Sequence, residues 1–229
     1  MTRSRSALAV AAALLLGATA AGAVPLSDGF TSQPFLDTSL PGTKAVTRPE
    51  LAGTVLADVD TSFTLNGVSG HVQNRVVRET TTGTLDFYWR VMVDPSSTGV
   101  GVSALRLENF GYANLNDADW RIDGLGTVST STARLFNPAS YPTGDLNFLF
   151  DGTVDGGGSS NFFFLHTDAT SYTETAGYDL LVGSSQALTQ VFSTFRPTAV
   201  PEPAPAALLG LGLLTLAGLR ARRARDTRA

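Results

Sequence analysis

Cysteine is absent from the 229 residues of this chain. Its absence excludes disulfide frameworks, cysteine nucleophiles and thiolate metal sites. Charged residues are also few, at 16% of the sequence, compared with about 25% in ordinary soluble domains. A domain without cross-links must therefore obtain its stability from the burial of its core.

The usual signatures of catalysis are missing as well. The two histidines, His71 and His166, lie far apart in the sequence, so they do not have the close spacing of a zinc-binding pair. Because His166 alternates with Phe162 and Phe164, we interpret it as a residue of the core or its rim rather than a ligand. No G-x-S-x-G motif is present. We therefore predict no enzymatic activity, no catalytic residue, no cofactor and no assigned metal centre.

The charge of the central region disfavours polyanionic partners. Between Val24 and Val200, nine basic residues stand against eighteen acidic ones, a net charge of −9. Such a balance makes nucleic acid and anionic lipid poor partners. It suits a soluble exported domain.

The N-terminus has the pattern of a secretory signal peptide. Arg3 and Arg5 are positively charged, an apolar run extends from Ala7 to Leu16, and small residues follow at Ala21-Gly22-Ala23. This order predicts export with cleavage after Ala23, so residues 1–23 would not belong to the fold. The ten residues of the apolar run are too few to span a bilayer, which disfavours a retained membrane helix.

The C-terminus combines three pieces in a fixed order. An acidic proline motif, Val200-Pro201-Glu202-Pro203, precedes sixteen uncharged residues, Ala204 to Leu219. As a helix these would extend about 24 Å, a short span for a hydrocarbon core of about 30 Å. The basic tail of residues 220–228 follows, with Arg220, Arg222, Arg223 and Arg225. The positive-inside rule would hold this tail in the cytoplasm and place the proline motif at the outer membrane face.

This arrangement resembles the PEP-CTERM sorting signal of Gram-negative bacteria. The resemblance covers residues 197–229 and rests on the order of its three parts. It implies that a membrane enzyme, exosortase, recognises Val200 to Pro203 and removes the tail. It further implies a transient anchor in the inner membrane, then release to the cell surface or to extracellular polysaccharide in a biofilm matrix. A plain C-terminal membrane anchor is the alternative.

The middle of the chain predicts an all-β domain. In TLDFYWRVMV, Leu85, Phe87, Trp89, Val91 and Val93 alternate with more polar residues, as expected of a half-buried strand. Turn dipeptides, among them Asn66-Gly67, Asp151-Gly152 and Ala176-Gly177, separate such runs. We predict an antiparallel β-sandwich or jelly roll over residues 54–196. Residues 24–53 contain four prolines and predict an irregular lead-in or a loosely attached edge strand.

Acidic loops and one tryptophan are the remaining candidates for ligand binding. Calcium takes six to eight oxygen ligands, which loop aspartates and carbonyls can supply. The candidates are Asp117, Asp119 and Asp123 in NDADWRIDG, and Asp151 and Asp155 in DGTVDGGGSS. Their spacing matches no EF-hand. Trp120 is a candidate for stacking on a sugar ring, although we favour the simpler interpretation that it packs at a loop edge.

We therefore expect an exported protein of the cell surface or extracellular matrix with a structural or adhesive role. Its expected partners are exosortase, the membrane before processing, and extracellular polysaccharide. The alternatives are a carbohydrate- or calcium-binding module, or a secreted hydrolase acting on polysaccharide. A hydrolase would need two carboxylates facing each other across a cleft.

Overall fold

The computed structural model describes residues 24–26, 33–111, 115–183 and 187–198. The predicted signal peptide, the proline motif, the apolar segment and the basic tail all lie outside the described residues. Within the described part of the chain, no helix has the length and apolar character needed to cross a membrane.

The described residues form thirteen strands and one short 3₁₀ turn at Pro49–Leu51. The strands are β1 (Val24–Pro25), β2 (Phe35–Ser39), β3 (Gly53–Leu65), β4 (Val68–Glu79), β5 (Leu85–Val93), β6 (Val102–Glu108), β7 (Leu115–Trp120), β8 (Thr130–Phe136), β9 (Leu146–Val154), β10 (Phe163–Thr167), β11 (Tyr172–Val182), β12 (Ala187–Leu188) and β13 (Phe192–Pro197).

These strands form two sheets. The six-stranded sheet has the order β1-β7-β10-β5-β4-β3. The seven-stranded sheet has the order β12-β11-β6-β9-β8-β2, and β13 also pairs with β11. Every pairing between these strands is antiparallel, so the prediction of an all-β antiparallel fold is confirmed.

The main core lies between the two sheets. The predicted inward face of β5 is confirmed, since Leu85, Phe87, Trp89, Val91 and Val93 are all buried in it. Side chains of both sheets meet there, and the rings of Phe148 in β9 and Phe163 in β10 are 4.7 Å apart. One continuous apolar cluster thus joins the sheets.

The opposite face of β5 differs from the prediction. Asp86 and Tyr88 are also buried, so this strand is covered on both sides rather than half-buried. The cover comes from residues 43–51, here called the cover segment. Leu51 packs with Val77, Tyr88, Phe162 and Phe164 in a second apolar cluster on the outer face of the six-stranded sheet.

The region before residue 54 is therefore only partly irregular. Strand β2 forms the edge of the seven-stranded sheet by pairing with β8. The cover segment is fixed at its start, where the Thr43 amide donates to the Trp120 carbonyl at 2.9 Å and the Thr43 carbonyl accepts from Ile122 at 2.8 Å. Thr43 and Arg48 are both buried.

The turn predictions divide into two groups. Asn66-Gly67 joins β3 to β4 with both residues at positive φ, 51° and 78°, which suits the right-handed twist of a hairpin. Two other predicted turns are wrong. Asp151-Gly152 lies within β9 and Ala176-Gly177 within β11, at irregularities of the pairing where a bulge replaces a turn.

Gly126 is a position where alanine should be costly. Its φ is +115°, and an added Cβ would lie 2.0 Å from the Ser160 carbonyl oxygen. We expect Gly126→Ala to lower the free energy of unfolding by about 2 kcal/mol, because left-handed geometry costs about 1 kcal/mol and the backbone must also shift. Gly152, at φ +95° with open space around it, is the matched control. Urea unfolding that gives equal losses for both alanine variants would contradict the steric explanation.

Candidate functional site

Four charged residues form a row across the outer face of the six-stranded sheet. Glu79 lies at the end of β4, Asp86 in β5, His166 in β10 and Asp117 in β7, on four adjacent strands. His166 is opposite Asp86 on one side and Asp117 on the other. We call these four residues the charged row. The pairing register of the sheet, not local sequence, brings them together.

The imidazole of His166 lies between two carboxylates. Its Nδ1 is 2.7 Å from Oδ1 of Asp86 and 3.1 Å from Oε1 of Glu79. The side chains of Asp86 and Glu79 are fully buried, and 16% of the His166 side chain is exposed. Among the described residues, these three form the one group of at least three His, Asp or Glu side chains whose ligand atoms all lie within 4.8 Å of one another.

The two oxygens of Glu79 are in different situations. Oε2 accepts hydrogen bonds from the hydroxyl groups of Thr82 and Thr84, the latter at 3.2 Å. Oε1 is buried and has no hydrogen-bond partner, although it points at His166. His166 Nδ1 can carry a single hydrogen, and Asp86 is the nearer acceptor. The site therefore presents one buried carboxylate oxygen that accepts no hydrogen bond and whose close contact is with Nδ1 of His166 at 3.1 Å.

Burial and charge act against each other in this site. Burial raises the pKa of Asp86 to about 6, against the hydrogen bond and charge of His166, which lower it. For His166, burial lowers the pKa, but the hydrogen bond to Asp86 and the surrounding carboxylates outweigh it, and the net shift is upward. Burial likewise raises the pKa of Asp117, opposed mainly by Arg48.

Arg48 of the cover segment supplies positive charge beside the row. Its guanidinium Nη1 is 3.4 Å from Oδ1 of Asp117, and its centre lies 5.8 Å from the ring centroid of Phe164. Only 5% of Arg48 is exposed. The cover segment thus places a buried cation beside the three carboxylates of the charged row.

A groove of about 340 Å³ lies on the same sheet face, and we call it the outer groove. Its lining combines apolar side chains with two arginines and one aspartate: Leu51, Gly53, Val55, Arg75, Val77, Tyr88, Arg121, Asp123, Gly124, Leu125 and Phe162. The hydroxyl of Tyr88 is 3.5 Å from Oδ2 of Asp86, so the outer groove adjoins the charged row.

The arginines of the outer groove are held in place by neighbouring groups. Arg75 is 2.7 Å from Oδ2 of Asp58, and its guanidinium centre lies 4.8 Å from the ring centroid of Phe162. Arg121 donates from Nε to Oδ1 of Asp123 at 3.0 Å. Both arginines are partly exposed. The outer groove therefore offers oriented hydrogen-bond donors above an apolar floor.

The structure separates the residues that the sequence grouped as calcium candidates. Asp117 pairs with Arg48, whereas Asp119 accepts a hydrogen bond from the Gly42 amide at 2.8 Å. Asp123 accepts one from the Ala45 amide at 2.7 Å and lines the outer groove. Each of these three aspartates already bonds to groups of the protein.

The second acidic pair lies elsewhere. Asp151 is exposed within β9, and Oδ1 of Asp155 accepts from the Gly101 amide and the Thr153 hydroxyl at 3.1 and 2.9 Å. Within the described part of the chain, none of the five aspartate candidates belongs to the group of close ligand atoms around His166.

Trp120 does not line the outer groove. It packs against the core between the sheets, and its Nε1 donates to the Leu40 carbonyl at 3.2 Å. A Cβ added at Gly42 would lie 2.6 Å from its ring. Trp120 therefore fixes the chain near Gly42, just before the cover segment.

The sequence predicted that His166 lies in the core or at its rim, and its position in the structure agrees. The sequence did not predict which residues surround it. It shares the outer face with Phe164 at the rim of the second apolar cluster. Asp86 and Glu79 were not singled out. One signal was available for Asp86, since it is the single acid in a strand whose other residues, apart from Arg90, are apolar or aromatic. No pattern in the sequence pairs it with His166.

Comparison with known proteins gives no relative of this chain. No family model, no curated protein and no solved structure matches it.

Asp119 should make stability depend on pH. Burial raises its pKa to about 6, against the backbone amides of Trp120 and Gly42, and its Oδ2 has no hydrogen-bond partner. Because the folded pKa lies above the unfolded value, folding favours the protonated form, and stability falls as pH rises from about 4 to about 6. We expect Asp119→Asn to remove this dependence. Between about pH 4 and about pH 6, its free energy of unfolding should rise relative to that of the wild type by up to about 3 kcal/mol. If the melting temperatures of the wild type and of Asp119→Asn change with pH in the same way, this prediction is wrong.

Proposed function

We propose that this chain is an exported protein of the cell surface or extracellular matrix, sorted by its C-terminal segment, with a structural or adhesive role and no catalytic activity. The observation that carries the proposal is the order of acidic proline motif, apolar segment and arginine-rich tail between Val200 and Arg225. An N-terminal segment with the pattern of a signal peptide supports the same route.

The fold is compatible with this role. We interpret the two facing antiparallel sheets as a β-sandwich that stands outside the inner membrane until exosortase removes the tail. A cysteine-free core and a net charge of −9 in the central region suit a soluble exported domain. Residues 197–200 would join this domain to the sorting segment.

The outer groove is the surface that we propose for adhesion, with extracellular polysaccharide as its ligand. Arg75 and Arg121 present guanidinium groups beside the aromatic side chains of Tyr88 and Phe162. Arginine binds carboxylates in a bidentate manner, so acidic sugars suit this lining better than neutral ones. Asp123 is the single carboxylate among the lining residues, whereas glycoside cleavage commonly uses two. This composition favours binding over hydrolysis.

The sorting proposal is tested by the mass of the mature protein. We expect protein recovered from the cell surface or medium to lack residues 1–23 and the residues beyond the proline motif. Replacing Pro201, Glu202 and Pro203 together with alanine should leave export intact and retain a full-length, membrane-bound form. If this variant is trimmed and released like the wild type, the sorting proposal fails.

The adhesion proposal is tested by a matched pair of arginine variants. Arg75→Gln removes a groove arginine that pairs with Asp58 and lies over Phe162. Arg134→Gln removes one with the same kind of partners, Asp37 and Phe35, on the other sheet. We expect Arg75→Gln to weaken binding of uronic-acid oligosaccharides at least tenfold in calorimetry, as expected for losing a charge-assisted hydrogen-bond pair. Equal affinities for the two variants, or no heat with wild type, would refute it.

A further inference from the structure

We propose that Glu79, Asp86 and His166 bind a divalent transition-metal ion, with Zn²⁺ as the fitting example. The ligand atoms are Oε1 of Glu79, Oδ1 of Asp86 and Nδ1 of His166, which converge within 4.8 Å of one another. The proposal does not depend on sorting or on polysaccharide binding.

The donor set selects the class of ion. One imidazole nitrogen and two carboxylate oxygens suit zinc and its first-row neighbours, whereas calcium takes six to eight oxygens. A catalytic or exchangeable zinc site commonly has three protein ligands and one open position. The partly exposed His166 leaves one side of the group accessible to water or to a small ligand.

The geometry requires only a small adjustment. Nδ1 of His166 is 2.7 Å from Oδ1 of Asp86 and 3.1 Å from Oε1 of Glu79. Tetrahedral zinc, with bonds of about 2.0–2.2 Å, holds its ligand atoms about 3.4 Å apart. As the ion enters, Nδ1 of His166 would therefore move away from Oδ1 of Asp86 by about 0.7 Å and from Oε1 of Glu79 by about 0.3 Å, and side-chain rotation can supply displacements of this size.

The unused oxygen of Glu79 is the independent observation for a ligand. Glu79 is 98% buried, and its Oε1 has no hydrogen-bond partner while facing His166. A buried carboxylate oxygen without a donor is costly. A metal ion would satisfy it, and the proton that His166 and Asp86 share would be released, as happens when metals compete with protons for ligands.

Neighbouring groups are placed as a second layer of support. The hydroxyl groups of Thr82 and Thr84 hold Oε2 of Glu79 and leave Oε1 directed at the site. The Tyr88 hydroxyl lies 3.5 Å from Oδ2 of Asp86. Such partners orient ligands and raise metal affinity. Because the three ligands come from β4, β5 and β10, bound metal would also clamp three adjacent strands.

The test uses the full chain in detergent, stripped with a chelator and titrated with Zn²⁺ by calorimetry. Co²⁺ serves as a spectroscopic probe, because its visible absorption reports a low-coordinate site. We expect one equivalent to bind at micromolar free metal and to raise the melting temperature. No binding at about a hundred times that concentration, or binding of Ca²⁺ in preference to Zn²⁺, would overturn the proposal.

Variants distinguish this site from adventitious binding. Glu79→Gln keeps an acceptor for the threonine hydroxyl groups and should weaken Zn²⁺ binding at least tenfold, and His166→Asn should abolish the Co²⁺ absorption. His71→Asn, which changes the other histidine of the chain, is the control and should bind as wild type does. If His166→Asn fails to fold, Glu79→Gln still tests whether the metal binds at this site. Unchanged affinity in folded Glu79→Gln, or loss of binding in His71→Asn, would overturn the assignment.

Discussion

Replacing Trp89 by alanine is expected to lower the free energy of unfolding by about 4 kcal/mol. Only 1% of Trp89 is exposed, and its ring centroid lies 5.9 Å from that of Phe110, 6.1 Å from that of Phe148 and 6.3 Å from that of Phe163. These partners come from both sheets and from the loop after β6. Alanine would leave a large cavity where the sheets meet, and rigid strands cannot collapse to fill it.

Trp89→Phe separates packing from hydrogen bonding. Nε1 of Trp89 donates to the Thr194 hydroxyl at 2.9 Å, and that hydroxyl donates in turn to Asn74 at 2.9 Å. Phenylalanine keeps most of the ring contacts but loses the indole donor, so we expect a smaller loss of about 2 kcal/mol. Urea unfolding measures both values. A loss of under about 1 kcal/mol for the alanine variant would mean that Trp89 does not join the sheets as described.

The inward face of β5 could be predicted because it depends on local alternation alone. A period of two assigns Leu85, Phe87, Trp89, Val91 and Val93 to one face whatever the rest of the fold does. The hairpin at Asn66-Gly67 was predictable for a similar reason, since two adjacent residues at positive φ favour this dipeptide.

The burial of Asp86 and Tyr88 could not be predicted in this way. It depends on the cover segment, whose residues carry no alternation and include Pro49, so that its packing on a distant strand leaves no periodic signal. The turn predictions at Asp151-Gly152 and Ala176-Gly177 failed for a related reason. A glycine after a small or acidic residue suits a bulge within a strand as well as a turn between strands.

The charged row could not be predicted from the sequence, because the order of the strands and the register of their pairing bring its residues together. Glu79, Asp86, Asp117 and His166 lie on four strands that are adjacent in the order β4-β5-β10-β7, and β10 is inserted between strands that precede it in the chain. A shift of one residue in any pairing would turn that side chain to the other face of the sheet. Only the topology reveals which acids share a face with His166.

The cover segment should depend on Arg48 for its attachment. Arg48 is buried against Phe164 and pairs with Asp117 at 3.4 Å. Arg48→Ala is expected to lower the free energy of unfolding by about 3 kcal/mol, because it leaves the Asp117 carboxylate poorly compensated beside two other acids. Hydrogen exchange of residues 43–51 should increase as the segment loosens. Urea unfolding and exchange measured by mass spectrometry test both expectations.

Two further variants identify the cause of that loss. Arg48→Met keeps a long apolar stem over Phe164 and removes only the charge, so it should be nearly as destabilising as Arg48→Ala if charge dominates. Combining Arg48→Ala with Asp117→Asn removes both charges and should recover at least about 1 kcal/mol, because no poorly compensated carboxylate remains at that position. If the double variant is no more stable than Arg48→Ala while Arg48→Met resembles wild type, packing on Phe164 holds the cover segment. In that case the positive charge of Arg48 would not contribute to stability by compensating the carboxylates of the charged row.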